Sequence, residues 1–459
     1  MKFEIPMKKY NWLLLVTLLA ATPAMAQNAL LDKAERAAVI EKIGDLLTVN
    51  YVFPDRAAAA KAKIAGALAA GDYDGLTEPE AFAQRLTTDL QSVSHDKHMR
   101  VFAAPGQSPS AATPPPPPPQ SNAGFTRVDR LKGNIGYIKF LGFGGPGPFY
   151  LAVDQALADL AGTDALIIDM RDNHGGAADG VTYFCSFFFD PKTPVHLNNL
   201  IFRKPGTNEF TTMEFWTKPV ATHYLKKPIY LLTSKQTFSG GEEFVNDLKV
   251  QKRAKVFGET TGGGANPGGT LPINPRFAIF VPNGRAENPV TKTNWEGSGV
   301  APDVAVDAKL AFQAAVLEAV SRKHNEAAFA VKRELVTQNE EEPLVEAHLL
   351  KIRTTALPGG AEAVKRNLEE LASGTPNYAL MSPELANVTR AQLSMLQPLV
   401  SKLGAIRTVT FNSVGFDGND VYDVTLANGA VQCGIFVMPD GKISTVWLRP
   451  AATSMPAVH

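Results

Sequence analysis

The sequence predicts an α/β protein whose central part, residues 124–307, alternates strands with helices. Apolar runs such as Asn134–Phe140 and Asp164–Met170 are bounded by polar or glycine-rich segments, as buried strands are. A helical pattern at Pro148–Leu160 separates these two runs. Because 459 residues exceed the length of one ordinary core, we expect additional domains on either side.

The first 26 residues have the composition of a secretory signal peptide. Lys8 and Lys9 precede an apolar run, Trp12–Ala21, and an Ala-x-Ala sequence ends at Ala26. The run is too short to span a bilayer comfortably. We therefore expect cleavage after Ala26 and export to the periplasm or the extracellular space. No later segment predicts a membrane span.

Composition divides the rest of the chain. Residues 27–104 predict an N-terminal helical domain, because alanine-rich and amphipathic stretches dominate it. Residues 105–123 predict a proline-rich linker, either a semi-rigid spacer or a ligand for an aromatic groove, and export favours the spacer. An α/β core is predicted at 124–325 and a C-terminal α+β domain at 326–459.

The C-terminal domain is predicted to contain helices followed by a β-meander. The helices are expected at Pro343–Ile352, Ala361–Ala372 and Arg390–Leu403. Four alternating segments then predict strands, and Asn428-Gly429 and Asp440-Gly441 are typical hairpin turns between them.

Charge and cysteine content exclude several classes of function. Lys+Arg and Asp+Glu number 45 each, so no basic excess indicates a nucleic acid or a membrane surface as partner. Cys185 and Cys433 lie far apart, so a disulfide is not the expected state, although the sequence alone leaves it open. The His and Cys spacing predicts no metal site.

The segment Pro228–Glu243 contains the candidate nucleophile. It predicts a buried strand at Ile229–Leu232, a polar turn, and then Ser239 and two glycines where a helix begins. A serine at such a turn is exposed and lies beside unpaired backbone N–H groups that can hold an oxyanion. On these residues alone, a serine N-cap with glycines for a tight turn is the favoured interpretation, and only segments elsewhere in the chain shift the balance toward a nucleophile.

Six short segments follow one another in an order typical of one family. They are Ser94–Val101, Asn134–Phe140, Leu166–Gly176, Leu231–Glu242, Val256–Gly264 and Trp295–Asp303. Together they resemble the exported serine peptidases of the tail-specific protease and tricorn group, in particular the branch related to interphotoreceptor retinoid-binding protein. The resemblance implies a ClpP/crotonase-like spiral of β-β-α units, a peptide or protein substrate and no cofactor.

The resemblance also assigns a nucleophile and an oxyanion site. Ser239 matches the family nucleophile, and the backbone N–H of Gly240 matches one oxyanion donor. The turn Gly175-Gly176 matches the other donor. Glycine suits this turn, because a side chain would keep a carbonyl group away from the backbone.

The general base differs between branches of the family. One branch uses a lysine 25 residues after the nucleophile, which is Gly264 here, and the nearby Lys255 lies inside a predicted strand. The tricorn-like branch uses a histidine oriented through a glutamate, and His98 and Glu296 match these residues. An imidazole titrates near neutrality and can accept the serine proton.

Other interpretations of nearby residues stay open at this stage. His95 is a rival base, and His174 either lines the pocket or is a solvated loop residue. Glu242 suits a helix-start carboxylate better than a catalytic acid. Lys97 stands where the tricorn pattern has a serine before the histidine.

The sequence therefore predicts an exported serine peptidase with Ser239 as nucleophile, His98 as base and Glu296 as helper. The alternative is a protein that binds an apolar ligand or a peptide on the same fold, as the retinoid-binding relatives do. The aromatic residues of 183–189 would then line a pocket, unless they belong to a buried core. The PDZ module typical of the tail-specific branch has only the proline-rich segment in its place.

Overall fold

The structure, a computed structural model, describes residues 30–103, 121–323, 328, 330–332, 334 and 342–451. The predicted signal peptide and most of the predicted proline-rich linker lie outside these residues. None of the described helices is both long enough and apolar enough to cross a membrane.

The N-terminal region begins with the helices that its periodicity predicts. They are α1 (Lys33–Asn50), α2 (Pro54–Ala69) and α3 (Pro79–Ser94), followed by strand β1 (Arg100–Ala103). Asp32 caps α1 by accepting the Glu35 N–H at 2.7 Å. Proline occupies the first turn of α2 and α3, where its missing N–H costs nothing.

The central part alternates strands and helices, as predicted. Its strands are β2 (Phe125–Leu131), β3 (Ile135–Phe140), β4 (Ala165–Asp169), β5 (His196–Arg203), β6 (Phe210–Trp216), β7 (Ile229–Thr233), β8 (Lys255–Gly258), β9 (Gly268–Asn274), β10 (Phe277–Pro282), β11 (Gly284–Glu287) and β12 (Val304–Ala305). Its helices are α4 (Pro148–Asp159), α5 (Ala178–Ser186), α6 (Gly240–Val250) and α7 (Ala308–Ser321).

A seven-stranded sheet forms the centre, in the order β12-β8-β7-β4-β3-β2-β13, where β13 is Val345–His348. In this sheet β3, β4, β7, β8 and β12 run parallel to one another. β2 and β13 are antiparallel to their neighbours. Every residue of β4 and β7 is buried, because both faces of the sheet are covered. Ile168 and Leu231 belong to one apolar cluster, and their chain neighbours Ile167 and Leu232 to another.

Two smaller sheets flank the central one, in the orders β1-β10-β9 and β11-β5-β6. In the first, Val101 of β1 pairs with Ile279 of β10. Met99 and Val101 are buried in one cluster with the inward-facing residues of β10 and the three N-terminal helices. The N-terminal helices and the central part therefore share a sheet and a core.

The C-terminal region contains the predicted meander, with both hairpin turns where expected. Its elements are α8 (Gly360–Ser373), α9 (Pro383–Lys402), β14 (Ile406–Val414), β15 (Asp420–Leu426), β16 (Gly429–Val437) and β17 (Ile443–Pro450). The predicted helix at Pro343–Ile352 is wrong. This segment instead supplies β13, which pairs with β2 and so covers an edge of the central sheet. Cys185 and Cys433 are both free and buried.

Candidate active site

Three loops that follow neighbouring strands meet at one cavity. β4, β7 and β8 are parallel neighbours, so the loops after them leave the same edge of the sheet. The loop after β4 contains the Gly175-Gly176 turn, the loop after β7 ends at Ser239, and the loop after β8 contains Gly264. Residues from all three line a cavity of about 310 Å³.

Ser239 occupies a sharp turn between β7 and α6. Its φ of 55° is unusual for a residue other than glycine and indicates local strain. The Glu242 carboxylate accepts the Ser239 N–H at 3.0 Å and holds this turn at the start of the helix. The serine side chain thus faces the cavity beside the positive end of α6.

The glycine turn after β4 lies against this serine. A Cβ on Gly175 would be 2.7 Å from Ser239 Cβ and 2.7 Å from the Gly240 nitrogen. The Gly175 N–H already donates to Asn173 Oδ1 at 2.9 Å. The N–H groups of Gly176 and Gly240 have no acceptor among the described residues. The geometry therefore favours Gly176 over Gly175 as the second oxyanion donor.

His98 reaches the same cavity from the segment between α3 and β1. Its ring packs on Phe238, the residue before Ser239, with 4.6 Å between ring centroids. Phe280 lies on another side, at 5.8 Å. Asp96 Oδ1 accepts the His98 N–H at 3.1 Å and fixes the backbone here. His95 is exposed at the end of α3 and does not line the cavity, whereas His174 is exposed and does line it.

Burial governs the electrostatics around His98. It lowers the pKa of His98 to about 4, with a smaller contribution from the positive charge of Arg100. His98 is therefore a neutral base at neutral pH. Within the described part of the chain, its buried Nδ1 has no hydrogen-bond partner.

Glu296 lies beside His98, on the loop before β12. Its Oε2 accepts the Ala265 N–H at 2.6 Å, and its buried Oε1 has no partner among the described residues. Burial raises the pKa of Glu296 to about 7, and the charge of Asp96 adds to this effect. One carboxyl oxygen each of Asp96 and Glu296 and one ring nitrogen of His98 lie within 4.8 Å of one another.

That triplet has the composition of a small metal-binding set, which His and Cys spacing alone did not predict. Asp96 is already used by other groups, because its oxygens accept the Tyr51 hydroxyl at 3.2 Å, the Asn266 amide at 2.9 Å and the His98 N–H. The arrangement fits a base with two neighbouring carboxyl groups at least as well as a metal centre.

Gly264 shows why a lysine is absent from the loop after β8. A Cβ at this position would be 2.3 Å from Phe238 Cζ and 2.7 Å from His98 Cε1. The Phe238 and His98 rings thus fill the space of a side chain. Lys255 lies away from the cavity, and its ammonium group pairs with Glu318 at 3.1 Å.

Glu242 holds the loop after β8 against the start of α6. It is fully buried and accepts hydrogen bonds from Thr261 Oγ1, from the Gly263 and Gly264 N–H groups and from the Ser239 N–H. Burial nevertheless raises its pKa. Its carboxyl oxygens are used by these donors, so it positions the loop. Lys97, in the place of the family serine, donates to the Gly262 carbonyl at 2.5 Å.

Sequence reasoning missed two positioning residues, Asp96 and Asn173. The Asn173 side chain accepts the Gly175 N–H and donates to the Phe140 carbonyl at 3.2 Å. Its own carbonyl accepts the Phe238 N–H at 3.0 Å. An asparagine two residues before a glycine is typical of an Asx turn, and this signal could have identified it.

Comparison with known proteins gives a consistent result. Residues 134–306 match Peptidase family S41, and residues 24–128 match the N-terminal domain of peptidase S41 in eukaryotic IRBP. A stretch of 176 residues, 37% of this chain, is 29% identical to the chloroplastic carboxyl-terminal-processing peptidase 2 of Arabidopsis thaliana. That match covers 31% of the length of the Arabidopsis protein.

Solved structures give partial matches. The photosystem II D1 C-terminal processing protease is 20% identical, with a TM-score of 0.33, over 40% of this chain and 48% of that one. A candidate peptidase from Parabacteroides merdae is 18% identical, with a TM-score of 0.45, over 67% of this chain and 98% of that one.

Proposed function

We propose, from the match of residues 134–306 to Peptidase family S41, that this chain is an exported serine peptidase that cleaves peptide bonds. One observation carries the proposal. Ser239, in a strained turn at a helix start, and His98, from the opposite side of the proline-rich segment, line the same cavity. Nucleophile and base must meet in this way for covalent catalysis.

In the proposed reaction, Ser239 Oγ attacks the carbonyl carbon of the scissile bond while His98 accepts the hydroxyl proton. The carbonyl oxygen becomes an oxyanion that accepts hydrogen bonds from the N–H groups of Gly240 and Gly176. Collapse of this intermediate breaks the C–N bond, and His98 returns the proton to the leaving amine. Water then attacks the acyl-enzyme by the same steps in reverse.

Glu296 is the helper in this proposal. A carboxylate beside Nδ1 favours the tautomer whose other nitrogen can accept the serine proton, and it stabilises the imidazolium that forms. The short distances among Asp96, His98 and Glu296 support this role, as does the partnerless Oε1 of Glu296 within the described residues.

The crotonase-like arrangement of the central part and the export of the protein belong to the same proposal. The order of alternating strands and helices is compatible with a crotonase-like spiral. Export after cleavage near Ala26 rests on the composition of residues 1–26.

Labelling with a serine-directed fluorophosphonate probe tests the chemistry. We expect the mature protein to be labelled, and Ser239→Ala to abolish labelling and to lower peptide hydrolysis by more than about 1,000-fold. His98→Ala should slow labelling strongly, because the hydroxyl loses its base. Ser298→Ala is the matched control, since Ser298 is an exposed serine that does not line the cavity. Labelling that persists in Ser239→Ala would show that the probe reacts with another residue and would contradict the assignment of Ser239 as nucleophile.

The alternative function, binding of an apolar ligand, has less support. Phe184, Phe187 and Phe188 are at most 1% exposed and belong to the core cluster, so they do not line the cavity. The aromatic run that suggested a ligand pocket is therefore explained by packing.

A further inference from the structure

A buried acidic cluster borders the cavity and has no part in the proposed bond cleavage. It consists of Glu243 and Asp247 on α6 and Asn198 on β5, with exposed fractions of 5%, 1% and 0%. Glu243 lines the cavity directly. Asn198 lies two residues before Leu200, another lining residue, and therefore on the same face of its strand.

Five side-chain polar atoms of this cluster have no hydrogen-bond partner among the described residues, although the Asn198 side chain lies close enough to Glu243 to oppose the rise of its pKa. The five atoms are Glu243 Oε1, both carboxyl oxygens of Asp247, and the Asn198 Oδ1 and Nδ2 atoms. No described lysine or arginine forms an ion pair with either carboxyl group, and the nearby Lys218 pairs with Asp179 at 2.7 Å. Buried carboxyl groups without donors are costly, so a group that supplies N–H donors and positive charge would be stabilised here.

Glu243 lies one helical turn from the candidate nucleophile. Its N–H donates to the Ser239 carbonyl at 3.0 Å. Ser239 is the N-cap of α6, and both residues line the same cavity. A substrate side chain next to the scissile carbonyl would therefore extend from Ser239 toward the Glu243 carboxyl group.

The walls between these two residues suit a long aliphatic stem. Ala178, Leu200 and Ala286 line the cavity together with Glu243. Lysine and arginine combine three or four methylene groups with a charged end. Arginine in addition offers five N–H donors, which suits a cluster with several unused acceptor oxygens.

We propose that Glu243, backed by Asp247 and Asn198, binds the basic side chain of a substrate residue, arginine or lysine, on the acyl side of the scissile bond. This inference rests on the proposed peptidase function and adds a substrate class to it. Burial raises the pKa values of both Glu243 and Asp247 in the free protein, and the proximity of Glu243 adds to the rise at Asp247. An arriving cation favours the carboxylate form and pairs with it.

Paired substrates test the inference. Two peptidyl aminocoumarin amides are compared that differ only in arginine or citrulline before the cleaved bond. Citrulline has the same shape and no charge. We expect kcat/KM to favour arginine by at least about 30-fold, because a buried charge pair is lost with citrulline. In Glu243→Gln, we expect this ratio to fall to about 1.

Glu287→Gln is the matched control, because Glu287 is next to the lining residue Ala286 but does not line the cavity. It should keep the wild-type ratio. Equal hydrolysis of both substrates by the wild type would overturn the inference, even if Glu243→Gln did not fold. An unchanged ratio in folded Glu243→Gln would do the same.

A second readout separates this inference from the peptidase proposal. Peptidyl aldehydes ending in arginine or citrulline should compete with fluorophosphonate for Ser239, and the arginine form should protect at a lower concentration. Equal protection by the two aldehydes would contradict only the basic pocket. Absence of fluorophosphonate labelling would overturn the peptidase proposal and the inference with it.

Discussion

His98 and Glu296 form a pair of titrating groups whose pKa values burial moves in opposite directions. The pKa of His98 falls to about 4, and that of Glu296 rises to about 7. Between these values the imidazole is neutral and the carboxyl group keeps its proton. The proposed helper therefore loses its proton at a higher pH than the proposed base.

This order predicts the acid limb of the pH profile. kcat/KM should rise as pH increases through about 7, because Glu296 becomes a carboxylate that stabilises the imidazolium. An amide cannot ionise, so in Glu296→Gln the limb should move down toward the pKa of His98, about 4. The plateau should also fall, by about 10- to 100-fold. A midpoint that stays near 7 in Glu296→Gln would assign that limb to another group.

The close packing around Gly264 predicts a steric effect at His98, the proposed base. In Gly264→Ala the new methyl group would be 2.3 Å from the Phe238 ring and 2.7 Å from His98 Cε1. We expect fluorophosphonate labelling to slow by at least about tenfold and stability to fall by about 1–3 kcal/mol, as in overpacked cores. Gly269→Ala is the control, because no atom lies within 4 Å of its Cβ position. Normal labelling in Gly264→Ala would show that the labelling of Ser239 does not depend on the observed position of the His98 ring.

At the scale of elements, the site depends on contacts between loops that follow different strands. Asn173 connects the loop after β4 to Phe238, and Glu242 connects the start of α6 to the loop after β8. Asn266 connects the segment after that loop to Asp96. These bonds hold the loops together where the strands themselves end.

Glu242 predicts how much one of these connections contributes. Glu242→Gln replaces an acceptor oxygen by an NH₂ group that faces N–H and O–H donors. We expect the free energy of unfolding to fall by about 1–3 kcal/mol, measured by urea denaturation. Glu259→Gln is the matched control on the same loop, since its carboxylate makes only longer contacts, at 3.4 and 3.7 Å, to Lys235. Equal stabilities of the two variants would contradict the connecting role of Glu242.

The sequence predicted the elements whose pattern is local. β4 and β7 are short apolar runs, and both lie within one residue of the predicted bounds. β6 was missed because its apolar residues, Phe210, Met213, Phe215 and Trp216, do not follow the period of two that marks a half-buried strand. β13 was mistaken for a helix because its strand pairing with β2 depends on a partner far away in the chain.

The residues of the candidate site likewise include some that local motifs predicted and some that they did not. Motifs predicted Ser239, His98 and Glu296, and the structure brings the first two to one cavity with Glu296 beside His98. The role of Asp96 was not predicted, because its partners Tyr51 and Asn266 are 45 and 170 residues away. Contacts across such separations leave no periodic or local trace in one sequence.

At the scale of the whole molecule, the segment before the proline-rich residues is built into the central part. Besides the pairing of β1 with β10, the Arg203 guanidinium donates to the carbonyl groups of Thr48 and Tyr51 at the end of α1, at 3.2 and 2.8 Å. Arg276 pairs with Glu35 at 2.8 Å. His98 is therefore held against the central part by a continuous interface.

This interface predicts that the covalent connection through residues 104–120 is dispensable once the chain has folded. A protease site inserted there and cut in the folded protein should yield two fragments that elute together in size-exclusion chromatography. Ser239 labelling should stay within about twofold of the uncut protein, because the shared sheet and buried cluster hold His98 in place. The uncut variant and the unmodified protein treated with the same protease are the controls. Fragments that separate in the absence of denaturant, with loss of labelling, would show that the interface alone is too weak to keep the base at the nucleophile.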